Sequence, residues 1–369
     1  MAAAQWFERQ GYNVKYITDD DLHGGLSWLG NSTNLVMVGH NEYWTDEMRA
    51  NTIALRELGK NLVVMSGNAL YWRIVKDPNN PHIIWCKKRT HEGATGDAYN
   101  PNTSSSTNDP QWLGWTGVWY DQRGPGLDTW GWTVKLPQEV IGQFFKMNAV
   151  SSPYQSVTVD GPTYQSSPFW RDTVVAAGTD LTINGIFGFE GDEPRDPGDG
   201  RGWVWLGDTT FTNTSCYDEN GATVGTCSTT AGFAISRTDP THGIVWSGGA
   251  MNTLWCLTDY HTGTTGFVND DWRQAMVNLF ADLGAAADTL DVDLTTPTPV
   301  DIATYGFVFA PVAVISAPAS VPAGSPVAFD GTGSYDLDGS VVSYLWSFGD
   351  GNTSTASAPS YTYAVDGTY

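Results

Sequence analysis

Asn34-Leu-Val-Met-Val-Gly-His-Asn-Glu-Tyr-Trp44 is the stretch of sequence that decides the fold, and it returns in altered form as Asn61-Leu-Val-Val-Met-Ser-Gly-Asn-Ala-Leu-Tyr-Trp72. In both copies a short apolar run leads into a polar loop that ends in a tyrosine–tryptophan pair. Between them, Thr45 to Lys60 has helical apolar spacing, with Thr45 as a suitable N-cap. The order strand, loop, helix, strand, loop predicts an α/β layer with a parallel sheet.

The two polar loops carry the candidate site. In a parallel sheet with a right-handed crossover, both loops emerge at the same edge, so Tyr43 and Tyr71 are expected to face one cleft with His40 nearby. Phenolate and carboxylate oxygens suit a hard, oxidised metal ion. The alternative is that both tyrosines pack the sheet edge and that His40 is a structural histidine, in a chain that contains 17 Trp, 16 Tyr and 14 Phe.

Composition restricts the class of protein. The 369 residues include 40 acidic and 18 basic side chains, which give a net charge of −22. Nucleic acid is therefore not an expected partner, because little here would neutralise phosphate. Abundant Gly, Ser, Thr, Asn and Trp with scarce Lys are typical of extracellular bacterial proteins. No apolar run of about 18 residues occurs, so no membrane span is expected.

The first ten residues, Met1-Ala-Ala-Ala-Gln-Trp-Phe-Glu-Arg-Gln10, resemble an amphipathic helix. They lack the basic segment and apolar core of a signal peptide. We therefore expect a fragment of a longer secreted protein, with further domains of the same chain as its neighbours.

The four cysteines fall into two classes. Cys216 and Cys227 flank a polar, glycine-containing loop, which predicts a disulfide across a hairpin in an oxidising compartment, the alternative being two unpaired thiols. Cys86 and Cys256 each lie beside tryptophan in apolar runs and are expected to be buried. The spacing fits no zinc site.

Three regions are predicted along the chain. Residues 1–285 form an α/β domain that includes a strand at Gly11–Thr18, a β- and loop-rich excursion over 76–245, and a helix at Asp270–Leu283. Residues 286–310 are a linker rich in Thr, Pro and Asp. Residues 311–369 form a separate module.

The last module resembles the PKD family of immunoglobulin-like β-sandwiches. The resemblance rests on Asp336-Leu-Asp-Gly339, Trp346-Ser-Phe-Gly-Asp-Gly351 and Tyr361-Thr-Tyr-Ala-Val-Asp-Gly-Thr-Tyr369. It implies a spacer or binding module of an extracellular, surface-associated protein. Because the family continues into a further strand after the Gly-Thr-Tyr, we expect the sandwich to be truncated. Asp336 and Asp338 are candidate Ca²⁺ ligands, although an acidic turn is the favoured interpretation.

Residues 1–285 resemble the C-terminal domain of the N,N-dimethylformamidase large (beta) subunit. The resemblance rests on the two tyrosine–tryptophan motifs, Phe187-Gly-Phe-Glu190 and Ser247-Gly-Gly-Ala-Met-Asn-Thr-Leu-Trp255. It implies a glutamine-amidotransferase-like parallel sheet and a mononuclear iron held by two tyrosines and a glutamate. By that resemblance the tyrosines are Tyr43 and Tyr71. The glutamate is Glu190 by preference, with Glu92 as the other candidate.

The reaction implied by this resemblance is hydrolysis of a small amide to an acid and an amine. The iron would act as a Lewis acid on the amide carbonyl and would lower the pKa of a bound water. His40 or Glu42 could carry a proton to the leaving amine, and Asn68 could orient the substrate.

Two other hypotheses about the function follow from the sequence. A cysteine or serine nucleophile is not favoured, because Ser66-Gly67-Asn68 contains no cysteine and lacks the Gly-x-Ser-x-Gly elbow. A non-catalytic protein that binds extracellular glycan, or acts in adhesion, is the alternative function. Its candidate stacking residues are five tryptophans that could equally form a core: Trp112, Trp115, Trp119, Trp130 and Trp132.

Overall fold

The computed structural model describes residues 2–86, 117–119, 136–148, 154–188, 190–217, 223–259 and 266–368. The chain divides into two compact units. The first unit consists of Met1–Pro197, Trp203–Arg237 and Thr241–Phe307, and the second of Gly198–Gly202, Thr238–Pro240 and Val308–Tyr369.

The described helices and strands are numbered in chain order. The α-helices are α1 (Ala2–Arg9), α2 (Asp19–His23), α3 (Asp46–Glu57), α4 (Gln138–Ile141), α5 (Gly161–Tyr164) and α6 (Asp270–Asp282). The strands of the first unit are β1 (Asn34–Gly39), β2 (Tyr43–Trp44), β3 (Asn61–Ser66), β4 (Trp72–Arg73), β5 (Val75–Lys76), β6 (Ile84–Trp85), β7 (Gly117–Val118), β8 (Gln143–Asn148), β9 (Gln155–Val159), β10 (Leu181–Phe187), β11 (Glu190–Pro194), β12 (Gly202–Tyr217), β13 (Thr223–Arg237) and β14 (Val245–Ser247). Those of the second unit are β15 (Pro326–Ala328), β16 (Trp346–Ser347), β17 (Thr353–Ser354) and β18 (Ser360–Thr362).

A mixed seven-stranded sheet forms the frame of the first unit, in the order β1-β3-β14-β13-β12-β8-β11. Strand β3 pairs in parallel with β1 on one side and with β14 on the other. The pairings β13–β14, β12–β8 and β11–β8 are antiparallel. The sheet is thus parallel only around β3, and four strands from the region predicted as an excursion extend the same sheet.

Strand β3 is buried on both faces, which explains its unbroken apolar sequence. Leu62 and Val64 belong to one hydrophobic cluster, and Val63 and Met65 belong to another. Because neighbouring side chains of a strand point to opposite faces, these two clusters lie on the two sides of the sheet. The sheet therefore holds the ends of β1 and β3 rigidly in place.

Helix α3 forms where the sequence predicts the crossover helix. The Thr45 side chain accepts a hydrogen bond from the Met48 amide at 3.1 Å, and Asp46 and Glu47 lie in the positively polarised first turn. Arg56 of this helix donates to the backbone oxygens of Glu139 and Val140 at 3.0 and 3.1 Å. The helix is thereby joined to α4, which directly precedes β8.

The predicted strand at Gly11–Thr18 does not form. Gly11 adopts a left-handed conformation, with φ of 75°, directly after α1. Its carbonyl accepts from the Asp288 amide at 3.3 Å, and the Gln10 carbonyl accepts from the Thr289 amide at 3.1 Å. The backbone that leaves α1 is therefore bonded to a distant segment instead of to the sheet, which the local apolar pattern could not indicate.

That distant segment, residues 286–307, is named the strap. It makes up most of the predicted linker, residues 286–310. Asp291 of the strap accepts from Gln10 at 2.8 Å and from the Arg273 guanidinium of α6. Tyr305 is buried, and its hydroxyl donates to Asp282 at 2.8 Å. Apolar strap side chains also pack on the core: Ala287, Leu290, Leu294, Val300, Ile302 and Phe307.

The predictions for Cys216, Cys227 and Cys256 are confirmed, and the prediction that Cys86 is buried is not. Cys216 and Cys227 form a disulfide that joins β12 to β13. Cys256 is buried, whereas Cys86 is half-buried. Among the described helices, none has the length and apolar character needed to cross a bilayer.

The second unit has short antiparallel pairs, β15 with β18 and β16 with β17. Phe348 stacks on Tyr361 with ring centroids 4.1 Å apart, and Trp346 donates to the Ala356 carbonyl at 2.7 Å. In the acidic turn that contains Asp336 and Asp338, the Asp338 side chain accepts a hydrogen bond from the Phe309 amide at 3.1 Å.

Candidate functional site

Two loops meet at the carboxyl ends of β1 and β3, as the sequence predicts. The parallel register aligns Val38 with Met65 and Gly39 with Ser66, so the following residues leave the sheet side by side. The loops then pair again through β2 and β4, where Tyr43 is aligned with Trp72. This edge holds His40, Glu42 and Asn68.

Four of the predicted site residues form one connected cluster. His40 Nε2 contacts Glu190 Oε2, and His40 Nδ1 lies 3.7 Å from Glu42 Oε2. The other oxygen of Glu42 accepts from Asn68 Nδ2 at 3.1 Å and from Trp72 Nε1 at 2.7 Å. His40, Glu42, Asn68 and Glu190 are thus brought together from two loops and strand β11.

The cluster favours a charged imidazole. The hydrogen bond to Glu190 raises the pKa of His40, partial burial opposes that shift, and the negative charges of Glu190, Glu42 and Asp192 add to it. His40 can therefore hold a proton at higher pH than an isolated histidine.

Asp192 is the functional candidate that the sequence reasoning missed. It is fully buried, and its oxygens accept from the amides of Asn68 at 2.6 Å and Ala69 at 3.1 Å and from Gln143 Nε2 at 2.7 Å. Burial raises the pKa of Asp192 to about 7, although these three hydrogen bonds act in the opposite direction. Its position two residues after Glu190, beyond a glycine, was the available signal.

The backbone of the second loop is held in a strained conformation. Asn68 and Leu70 have φ of 51° and 52°, which non-glycine residues rarely adopt. Gly67 permits a close approach to β11, because a Cβ there would lie 2.2 Å from the Glu190 carbonyl oxygen. The hydrogen bonds that the Asn68 and Ala69 amides donate to Asp192 supply the restraint that such a loop needs.

The two tyrosines lie on the short paired strands beside the cluster. The Tyr71 amide donates to the Glu42 carbonyl at 3.0 Å. The Tyr71 ring is buried and packs edge-on against Trp72 and Phe145, with centroids 4.8 and 5.1 Å away. Tyr43 is half-buried. Tyr71 therefore contributes to the core as the alternative interpretation expects, and its role as a ligand stays a prediction.

The predicted iron ligands, two phenolates and a carboxylate, are hard oxygen donors. Within the described ranges, no group of three or more His, Cys, Asp and Glu side chains is arranged to hold a metal ion. A metal at this edge would thus depend on phenolate oxygens, as the predicted set of Tyr43, Tyr71 and Glu190 requires. The other candidate glutamate, Glu92, lies outside the described residues.

The structure describes two of the residues on which the alternative interpretations depend, Ser66 and Trp119. Ser66 is buried and accepts a hydrogen bond from the Asn41 amide at 3.2 Å, which fits a structural role. Trp119 is completely buried and is not available to stack on a sugar. The other four predicted stacking residues lie outside the described part of the chain: Trp112, Trp115, Trp130 and Trp132.

Comparison with known families assigns most of the chain to two domain families. The family described as N,N-dimethylformamidase beta subunit-like, C-terminal, matches residues 1–265. The chain belongs to this family. A PKD domain follows the dimethylformamidase-like domain and matches residues 308–369.

Curated relatives match the chain over short segments. A microbial collagenase from Vibrio alginolyticus is 43% identical over 60 residues, which are 16% of this chain and 7% of the collagenase. Collagenase ColQ1 from Bacillus cereus is 51% identical over 43 residues, 12% of this chain and 4% of its own length. The pre-pro-metalloprotease PrtV from Vibrio cholerae is 56% identical over 36 residues, 10% of this chain and 4% of its own. The chain therefore spans only a small part of these relatives.

Proposed function

We propose that the dimethylformamidase-like domain is an iron-dependent hydrolase that cleaves the C–N bond of a small amide. The observation that carries this proposal is the cluster of His40, Glu42, Asn68 and Glu190 at the edge that also presents Tyr43 and Tyr71. A site of this kind needs a proton donor, a restrained carboxylate and hard oxygen ligands, and each type is present. Membership of the family supports the reaction class.

The metal-binding part of the proposal assigns Tyr43, Tyr71 and Glu190 as ligands. The iron, when bound, supplies Lewis-acid activation of the amide carbonyl and of a water molecule. The parallel portion of the sheet, β1, β3 and β14, is assigned to a glutamine-amidotransferase-like core, for which the crossover through α3 is the support.

The protein side chains would manage the proton. His40, whose pKa is raised by the hydrogen bond to Glu190, would donate a proton from Nε2 to the leaving nitrogen, so that an amine departs as the acid forms. Glu42 stabilises the imidazolium from 3.7 Å and fixes the Asn68 amide through a hydrogen bond. Asn68 then orients the substrate.

An extracellular, multidomain setting completes the proposal. The PKD domain, the disulfide, and the collagenase and metalloprotease relatives all support a secreted protein with further domains. The expected partner is a small amide.

The first test is the metal content, with a visible absorption spectrum, of the wild type and of Tyr43→Phe. We expect near-stoichiometric iron and a tyrosinate charge-transfer band, both reduced in Tyr43→Phe. Tyr16→Phe is the matched control, because Tyr16 is exposed and donates to Glu8. Folded wild-type protein without iron or band, after reconstitution with ferrous salt and oxidation in air to the ferric state, would contradict the metal assignment.

The second test is turnover of formamide, N-methylformamide, N,N-dimethylformamide and acetamide by the iron-loaded protein. His40→Gln is expected to lower kcat by about 10²–10⁴-fold because the leaving amine loses its proton donor. Unchanged kcat in folded, iron-loaded His40→Gln would remove His40 from the mechanism.

A further inference from the structure

A second surface feature of the first unit is an open groove of about 510 Å³. Trp203 and Trp205 line it together with two basic and two acidic side chains, Lys146, Arg195, Glu193 and Asp196. None of these six residues belongs to the candidate site at the ends of β1 and β3. The groove therefore needs an explanation of its own.

The two tryptophans form an aromatic wall. They are alternate residues of β12, so they share one face of the strand. Their ring centroids are 6.0 Å apart and their planes cross at 84°. Both residues are half-buried, so part of each remains exposed to solvent. Tryptophan in this setting offers a rigid apolar surface and an N–H donor.

The charged side chains around this wall balance one another. Lys146 and Arg195 contribute two positive charges, and Glu193 and Asp196 contribute two negative charges. An anionic ligand would meet the carboxylates, and a cationic ligand would meet the basic groups. The overall charge of −22 further disfavours a polyanion. The charge pattern thus favours a neutral ligand that both donates and accepts hydrogen bonds.

Two of these charged side chains are held in place. Glu193 accepts from the Thr230 amide at 3.1 Å, and the Arg195 guanidinium carbon lies 5.5 Å from the centre of the Phe144 ring. Fixed polar groups beside an aromatic wall reduce the ordering cost of binding.

We propose that this groove binds a neutral oligosaccharide. The apolar C–H face of a pyranose ring would lie against Trp203 or Trp205, while its hydroxyl groups, which donate and accept, would meet Lys146, Arg195, Glu193 and Asp196. The volume falls within the range of about 300–1,000 Å³ that is usual for sites of small ligands. This binding site is independent of the proposed hydrolase activity and is built from different residues.

The test is isothermal titration of the full chain with hexasaccharides. The neutral probes are cellohexaose, xylohexaose, laminarihexaose and N-acetylated chitohexaose; the charged probes are a galacturonic acid hexamer and a chitosan hexamer. We expect at least one neutral probe to bind, and Trp203→Ala and Trp205→Ala each to weaken that binding by about tenfold or more. Trp85→Ala is the matched control, a half-buried tryptophan of β6 outside the groove.

Three results would overturn the proposal: no neutral probe binds at about 10 mM, a charged probe binds more tightly than every neutral one, or both tryptophan variants bind like the wild type. If the tryptophan variants fail to fold, Lys146→Met replaces them. It removes the ammonium donor from the groove while keeping the length of the side chain, and a weakening of about threefold or more is expected. Binding equal to wild type in that variant would contradict the assignment of the groove.

Discussion

Histidine and carboxylate side chains constrain one another at the ends of β1 and β3. His40 lies between Glu190 and Glu42, and Glu42 is in turn fixed by Asn68 and Trp72. Such mutual bonding sets the protonation of the imidazole and the direction in which the Asn68 amide points. The local electrostatics can be tested without any assumption about substrate.

The raised pKa of His40 predicts a pH-dependent contribution to stability. A histidine that binds its proton more tightly when folded stabilises the protein fully below its unfolded pKa of about 6.5, and this contribution is lost as pH rises through the raised folded pKa. His40→Gln should therefore lower the melting temperature at about pH 5.5 and have a smaller effect at about pH 9.

The measurement is thermal unfolding after treatment with a chelator, so that no bound metal alters the titration. His82→Gln serves as the control, because His82 is exposed. An equal effect of His40→Gln at both pH values would show that the ion pair does not contribute.

Asp192→Asn should destabilise the first unit by about 2–4 kcal/mol. One oxygen of Asp192 accepts from Asn68, and the other accepts from both Ala69 and Gln143. An amide retains only one acceptor oxygen, so at least one buried donor would face an NH₂ group. Urea unfolding near pH 8 measures the loss, with Asp180→Asn as the control, since exposed Asp180 accepts a single backbone bond from Gly161. Equal stability of the two variants would contradict this role for Asp192.

The sequence predicts the members of this cluster that lie in local motifs. His40, Glu42 and Asn68 follow apolar runs, and a parallel sheet brings such positions to one edge. Asp192 and Gln143 could not be found in this way. Asp192 bonds to an amide 124 residues earlier, and Gln143 to an oxygen 77 residues earlier. No local periodicity encodes contacts over such separations.

Among the elements, β1, α3 and β3 follow directly from sequence because each carries its own signal: an apolar run, an N-cap or a helical period. The direction of strand pairing does not. Strand β14 contains only three residues. It pairs in parallel with β3 because the chain returns to that strand after almost 180 residues, and no local pattern indicates this return. The sequence therefore predicts the parallel pairing around β3. It does not predict the antiparallel strands, because their pairing depends on contacts between distant parts of the chain.

The close contact between the β3–β4 loop and β11 predicts a large effect for Gly67→Ala. A methyl group there would overlap the Glu190 carbonyl oxygen at 2.2 Å, and backbone cannot rotate away as a side chain can. We expect a loss of about 2–4 kcal/mol and a displaced Glu190.

Gly30→Ala provides the comparison for that variant. Gly30 has φ of 51° with open space around its Cβ position, so only the backbone conformation is penalised, by about 1 kcal/mol. Chemical denaturation compares the two, and a smaller loss for Gly67→Ala than for Gly30→Ala would show that the loop and β11 are not tightly packed.

At the scale of the whole first unit, the strap is part of the folded unit, which therefore ends at residue 307 and not at residue 285. A chain that stops at residue 285 would leave Arg273, which is buried, without Asp291 and Asp293, and Asp282 without Tyr305. We expect it to be about 3–5 kcal/mol less stable than a chain that stops at residue 307, because the buried Arg273 keeps only Asp270 of its three carboxylate partners and the apolar strap side chains are lost from the core. Urea unfolding and limited proteolysis of both chains measure the difference. Equal stability would mean that residues 286–307 behave as a linker.

The bonds between α1 and the strap have a mechanical consequence. Arg9 and Gln10 bond to Asp291, at 2.7 and 2.8 Å, so the end of α1 and the strap lie side by side. A pulling force applied at residues 10 and 307 would have to break the strap's bonds, those of Tyr305 and Asp291 included, before it reached the sheet. The loops around His40 would thus keep their geometry until those bonds ruptured.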